Sequence, residues 1–113
     1  MPDDSARDLF PGALEMMVLR LLRHEPMHGY ALVQRIQQTS QHLLQVEEGS
    51  LYPALQRLLK EGLVKAQWGV SATNRKVRIY QLTPAGTRHL EREMSRYTRM
   101  AHGINLVLGL GET

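Results

Sequence analysis

The chain contains no cysteine among its 113 residues, one tryptophan, one phenylalanine and no aspartate beyond Asp8. Without thiols there is no disulfide scaffold, no CxxC redox site, no cysteine nucleophile and no thiolate-bound zinc. With aspartate confined to Asp3, Asp4 and Asp8, a Ser-His-Asp triad lacks its third member. No glycine-rich phosphate loop follows a strand pattern. Apolar runs fall short of the roughly 18 to 20 residues a membrane-spanning helix needs. The opening MPDDSARDLF is acidic, whereas a secretory leader is basic and then apolar. These absences lead to the expectation of a cytoplasmic, non-enzymatic chain with no cofactor, no metal and no membrane partner.

What is present is enough for one domain. The chain is 42% hydrophobic, and its length suits a single core. Lysine and arginine outnumber aspartate and glutamate by only 14 to 11, but the distribution is uneven. The stretch from Arg57 to Arg78 carries Arg57, Lys60, Lys65, Arg75, Lys76 and Arg78 against Glu61 alone. Such a local basic excess is the footprint of a nucleic-acid binder, although a solvated surface would account for it equally well.

Periodicity then orders the chain. Leu14, Met17, Val18, Leu21 and Leu22 repeat at helical spacing, which predicts a helix over 11–25 that stops at Pro26. A second helix is expected over 29–41, after a break at Met27–His28, with Leu32 and Ile36 inward. A third is expected over 50–61, with Leu51, Leu55, Leu58 and Leu59 inward, Ser50 as its cap and Pro53 in its first turn. Gly62 ends it. Over 63–68 and 76–82 the period changes from 3.6 to 2, and the polar segment 69–75 between them makes a hairpin. Thr83 followed by Pro84 starts the last helix, in which Leu90, Met94, Tyr97, Ala101, Ile104 and Leu108 form a narrow seam suited to one partner helix.

The predicted fold class is therefore mainly α with a small β-hairpin: a winged helix-turn-helix followed by a long C-terminal dimerisation helix. Its parts are a flexible N-terminus at 1–8, the winged domain at 9–83, the dimerisation helix at 84–108 and a frayed tail at 109–113. In this arrangement the third helix enters the major groove and the hairpin tip reaches the flanking backbone. The candidate DNA-binding residues are Ser50, Tyr52, Pro53, Gln56, Arg57 and Lys60 on the helix, with Asn74, Arg75, Lys76 and Arg78 on the wing. Gln and Arg suit base edges, and Lys and Tyr suit phosphates. Arg57 is the leading candidate at the groove. Trp68 and Tyr80 are read as packing rings in preference to base-stacking ones. Paired histidines for a metal are not expected, because Pro26 and Gly29 separate His24 from His28. His28 is instead expected to organise the start of the second helix. Glu47 and Glu48, adjacent and pointing apart, suit a helix N-terminus better than acid–base chemistry.

Three motifs carry a resemblance. The runs Pro26-Met27-His28-Gly29-Tyr30, Glu48-Gly49-Ser50-Leu51-Tyr52-Pro53-Ala54-Leu55 and Tyr80-Gln81-Leu82-Thr83-Pro84-Ala85-Gly86 resemble the PadR family of bacterial transcriptional regulators, with similarity over about 9–100. The resemblance implies a homodimeric repressor on double-stranded DNA. Tyr52 would lie on the recognition helix, the wing from Trp68 to Tyr80 on the DNA backbone, and the C-terminal helix against a partner copy. The single C-terminal helix resembles the family's short branch. Two departures stand out: Ala13 where many members have a hydroxyl residue, and Ile79 before Tyr80 where many have a second aromatic. No tryptophan lies in the C-terminal helix, so a drug-sensing pore is not supported, and no small-molecule effector is assigned. The competing reading is a winged-helix adaptor that does not read DNA, which would need no basic excess on helix and wing.

Overall fold

The computed structural model describes residues 12–110. The expected flexible N-terminus at 1–8 and tail residues 111–113 lie outside the described residues, as does Phe10. The elements run α1 (Ala13–His24), β1 (Met27–His28), α2 (Gly29–Thr39), α3 (Glu48–Lys60), β2 (Val64–Val70), β3 (Lys76–Leu82) and α4 (Pro84–Leu108).

The three N-terminal helices close on one another because each carries an apolar stripe. Val18, Leu19 and Leu22 of α1, Leu32 and Ile36 of α2, and Leu51, Leu55 and Leu58 of α3 are all buried in one core. Burying such a side chain contributes about 1.5–3 kcal/mol. The inward stripe of α1 is rotated from the expected one: Leu19 is fully buried, while Met17 and Leu21 are only half-buried. Gly12, at φ 84°, makes the turn into α1 with no side-chain cap, so the helix runs Ala13–His24, starting two residues later than expected and needing no hydroxyl at Ala13.

Helix boundaries move where the backbone finds other partners. Helix α2 ends at Thr39 rather than at 41, because Gln41 and His42 take left-handed φ values of 55° and 64°. The His42 N–H donates back to the Gln37 carbonyl at 2.8 Å. Helix α3 starts two residues earlier than expected. Its N-cap is Glu47, without a side-chain cap bond, so Ser50 does not cap it. Pro53 consequently sits in the second turn, where its missing N–H leaves the Gly49 carbonyl without its usual donor; Gly49 is exposed, so water can serve it. At the other end, Gly62 at φ 73° donates to Leu59 and Leu63 donates to Leu58, both at 3.0 Å. This pair of bonds is the Schellman closure that only a left-handed residue allows cheaply.

The sheet has three strands in the order β1-β3-β2, all antiparallel. The expected break at Met27–His28 is a short strand, pairing Met27 with Tyr80 and His28 with Ile79. Two residues are too few to show alternation, so only the partner strand reveals them. Strand β1 ties the start of α2 to the wing. Strand β2 runs to Val70, two residues beyond the expected end, paired with β3 from Val64↔Leu82 to Val70↔Lys76.

Helix α4 begins as expected. The Thr83 hydroxyl accepts from the Gly86 N–H at 3.0 Å and donates to the Gly62 carbonyl at 2.7 Å. Leu90 is fully buried in the core, and from Glu91 to Leu108 no residue of α4 is buried. The helix closes at Gly109 with φ 73°. Among the described residues no helix is long and apolar enough to cross a membrane.

Candidate nucleic-acid interface

Helix α3 presents its outer face to solvent because Leu51, Ala54, Leu55 and Leu58 are buried on the other. At about 100° per residue, Gly49, Pro53, Gln56 and Lys60 form a line along the centre of that outer face, and all four are exposed. Tyr52 and Arg57 flank the line on opposite sides. Ser50 is half-buried at the edge.

The two flanking residues are held differently. The Arg57 Nε donates to Glu15 Oε2 of α1 at 3.2 Å, so the leading candidate for base reading leans toward α1 and is partly neutralised. Exposed pairs of this kind contribute about 0–1 kcal/mol, so a phosphate can draw Arg57 away at little cost. Tyr52 lies against the first residue of α2: a Cβ at Gly29 would stand 2.8 Å from Tyr52 Cε1 and 2.9 Å from its Oη. Its hydroxyl donates to Glu48 Oε2 at 3.1 Å. Partial burial, and then the hydrogen bond and negative charge of Glu48, push the phenol above its ordinary value of 10.0. Glycine at 29 and glutamate at 48 thus set the orientation of Tyr52.

The wing is a hairpin with the five-residue tip 71–75. Ser71 organises it. The Ser71 N–H donates to the Arg75 carbonyl at 2.8 Å, and the Asn74 N–H donates to the Ser71 carbonyl at 2.9 Å. The Ser71 hydroxyl oxygen accepts from the Arg75 N–H at 3.2 Å. Asn74 takes φ 62°, a left-handed conformation that asparagine tolerates. The tip therefore holds Asn74 and Arg75 outward, and both are exposed, as are Lys76 and Arg78 on the strand that follows. Between the wing and the helices lies an open cleft of about 830 Å³, lined by Tyr30, Gln34, Glu48, Tyr52, Thr73 and Arg75 among others.

The two candidate packing rings part company. Tyr80 is 3% exposed and belongs to the core. Trp68 is 62% exposed, contrary to expectation, because β2 overruns the core at that point. Lys76 Nζ stands 4.9 Å and Arg78 Cζ 5.6 Å from the Trp68 ring centroid. Reading by residue missed Ser71, Gly29, Glu15 and the exposure of Trp68. A serine opening a turn four residues before Arg75 is a local signal for the first; the others depend on long-range packing. His28 is the extended residue before α2 and makes no side-chain cap bond, so it enters the start of α2 through its backbone pairing instead. Among the described residues no three histidine or acidic side chains converge as a metal site.

On α4, Met94, Tyr97, Ile104 and Leu108 are exposed and Ala101 is half-buried. Leu90, expected in the same seam, is instead consumed by the chain's own core, because the first turns of α4 pack on α1.

A three-helix unit, a three-stranded wing sheet and a projecting C-terminal helix define a winged helix-turn-helix protein with an appended helix. Residues 18–92 match the Transcriptional regulator PadR-like family, and the chain belongs to that family of transcriptional regulators, which are not enzymes. A transcriptional regulator of Mycobacterium tuberculosis is 30% identical over 87% of this chain and 88% of its own length. A transcriptional regulator from Clostridium thermocellum superposes with TM-score 0.77 at 26% identity, over 93% of this chain and 95% of that one. PadR of Bacillus subtilis, solved in complex with operator DNA, matches in fold with TM-score 0.65 at 23% identity, over 73% of this chain and 46% of that one.

Proposed function

We propose that the chain is a sequence-specific DNA-binding repressor that acts as a homodimer on a pseudo-palindromic operator in the cytoplasm. The observation that carries this reading is the exposed line of Pro53, Gln56 and Lys60 on α3, flanked by Tyr52, which borders a cleft whose other wall is the wing tip with Arg75. The fold likeness to a regulator solved on operator DNA supports it.

Gln56, at the centre of the line, suits a bidentate contact to an adenine edge. Lys60 and, once released from Glu15, Arg57 suit phosphates. Ser50 and Tyr52 at the edges suit backbone contacts, and Pro53 offers an apolar contact to a thymine methyl. Asn74, Arg75, Lys76 and Arg78 would serve the flanking backbone. Dimerisation through Met94, Tyr97, Ala101, Ile104 and Leu108 would cover the seam that α4 leaves open. Two recognition helices would then meet half-sites about one helical turn, roughly 34 Å, or a multiple apart. Repression is the action that occupancy of a promoter accomplishes without any contact to polymerase.

The test is the salt dependence of DNA binding. Each phosphate contact contributes a slope of about −0.9 in log affinity against log salt. Replacing Arg75, Lys76 and Arg78 together by alanine should flatten the slope of the dimer by up to about 5. An unchanged slope would remove the wing from the interface.

A further inference from the structure

The face of the hairpin that covers the core with Val64 and Tyr80 continues beyond the core as Trp68, Val70, Lys76 and Arg78, since the register pairs Trp68 with Arg78 and Val70 with Lys76. Lys76 and Arg78 are two residues apart on one face of β3. Like charges so placed repel, and on an open strand their long stems splay. Here both approach one ring, at 4.9 and 5.6 Å from its centroid. The negative face of an indole attracts cations, with an effect that grows as water is excluded. The same ring, with Tyr52, His28 and Tyr80, lines a recess of about 240 Å³ between the base of the wing and the recognition helix. The only tryptophan of the chain is thus an exposed platform for two cations on the side of the wing that faces α3.

We propose that Trp68 is a positioning residue that holds Lys76 and Arg78 together as a pre-ordered pair of phosphate-binding cations. Free lysine and arginine side chains lose most of their rotamer freedom when they engage a phosphate. A ring that has already gathered them lowers that cost and strengthens binding without adding charge. The inference rests on the DNA-binding reading above.

Two experiments test it. In the free protein, Trp68 is the only tryptophan fluorophore, so iodide should quench it more strongly than caesium, and the K76Q/R78Q variant should lower the iodide-to-caesium ratio by about threefold or more. An unchanged ratio overturns the stacked arrangement. For binding, a fluorescein-labelled duplex of arbitrary sequence is titrated with four proteins in a double-mutant cycle: wild type, W68A, K76Q/R78Q and the triple variant. W68A should weaken binding about three- to tenfold in the wild-type background and have no effect when the cations are absent. Trp68→Phe, which keeps a smaller aromatic face, should recover most of the loss. An unaltered affinity in W68A, or an equal loss in both backgrounds, overturns the positioning role while leaving DNA binding intact. Failure of the wild type to bind any duplex overturns the DNA reading and this role with it.

Discussion

Gly29 and Tyr52 show how a single atom can carry a motif. Gly29 opens α2 in an ordinary helical conformation, where alanine would be the better helix former. Its missing Cβ matters only because the Tyr52 ring occupies the space, 2.8 Å from where that atom would be. Gly29→Ala should therefore leave the melting temperature nearly unchanged, displace the Tyr52 ring and break its bond to Glu48. Ultraviolet titration of the tyrosines would show the raised phenol moving back toward its ordinary range, and DNA binding should weaken by about tenfold, the equivalent of one charged hydrogen bond. The same phenol has a consequence for pH. Its folded value is raised above 10.0, so the unfolded chain loses its proton first. Its contribution to stability is complete below pH 10 and is lost as pH rises through the folded value. Chemical denaturation between pH 8 and 12 should show a decline at the alkaline end that Tyr52→Phe removes. At this scale the sequence revealed the residue types on the outer face of α3 but not their partners. Nothing local to Arg57 indicates Glu15, which is 42 positions away.

Among the elements, those with many repeats of their own period were legible and those defined by a partner were not. Helix α4 shows the first case: the dipeptide Thr83-Pro84 marks its start, and the predicted and observed bounds coincide at Pro84–Leu108. Strand β1 shows the second, since its two residues become a strand only by pairing with β3. Helix α3 lies between these extremes. Its apolar stripe was plain, but Ser50 and Pro53 suggested a start two residues late, because the cap function falls to the Glu47 backbone without any side-chain bond. Thr83 does more than cap. Its hydroxyl also donates to Gly62 at 2.7 Å, which fastens the end of α3 to the start of α4. Thr83→Ala should therefore cost about 1–2 kcal/mol, the upper part of the range for a lost cap. Calorimetry should record a fall in melting temperature of roughly 4–16 °C, at about 4–8 °C per kcal/mol for a domain of this size. A serine at the same position should restore most of it.

At the scale of the whole molecule, the question is what covers α4. Its first turns are part of the core through Leu90, and from Glu91 on no residue is fully buried, Glu93, Ala101 and Asn105 being half-buried. Met94, Tyr97, Ile104 and Leu108 are left exposed on it, and the proposed dimer would cover that apolar seam. The two halves of the helix should respond differently to mutation. Leu90→Ala should destabilise the fold by about 2–5 kcal/mol while light scattering still reports a dimer. Met94→Asp combined with Ile104→Asp should yield monomers that retain the winged domain and bind DNA more weakly. The seven-residue spacing from Leu90 to Leu108 was legible in the sequence. It could not separate the leucine used at home from the residues left for a partner, because that division depends on where α1 packs. The central claim is that two such chains read one operator, and a footprint on the DNA upstream of the gene tests it most directly. A dimer on a pseudo-palindromic operator should give a protected region, resistant to competitor DNA at moderate salt, with two half-site centres about 34 Å or a multiple apart. Protection no stronger than on unrelated DNA would contradict it.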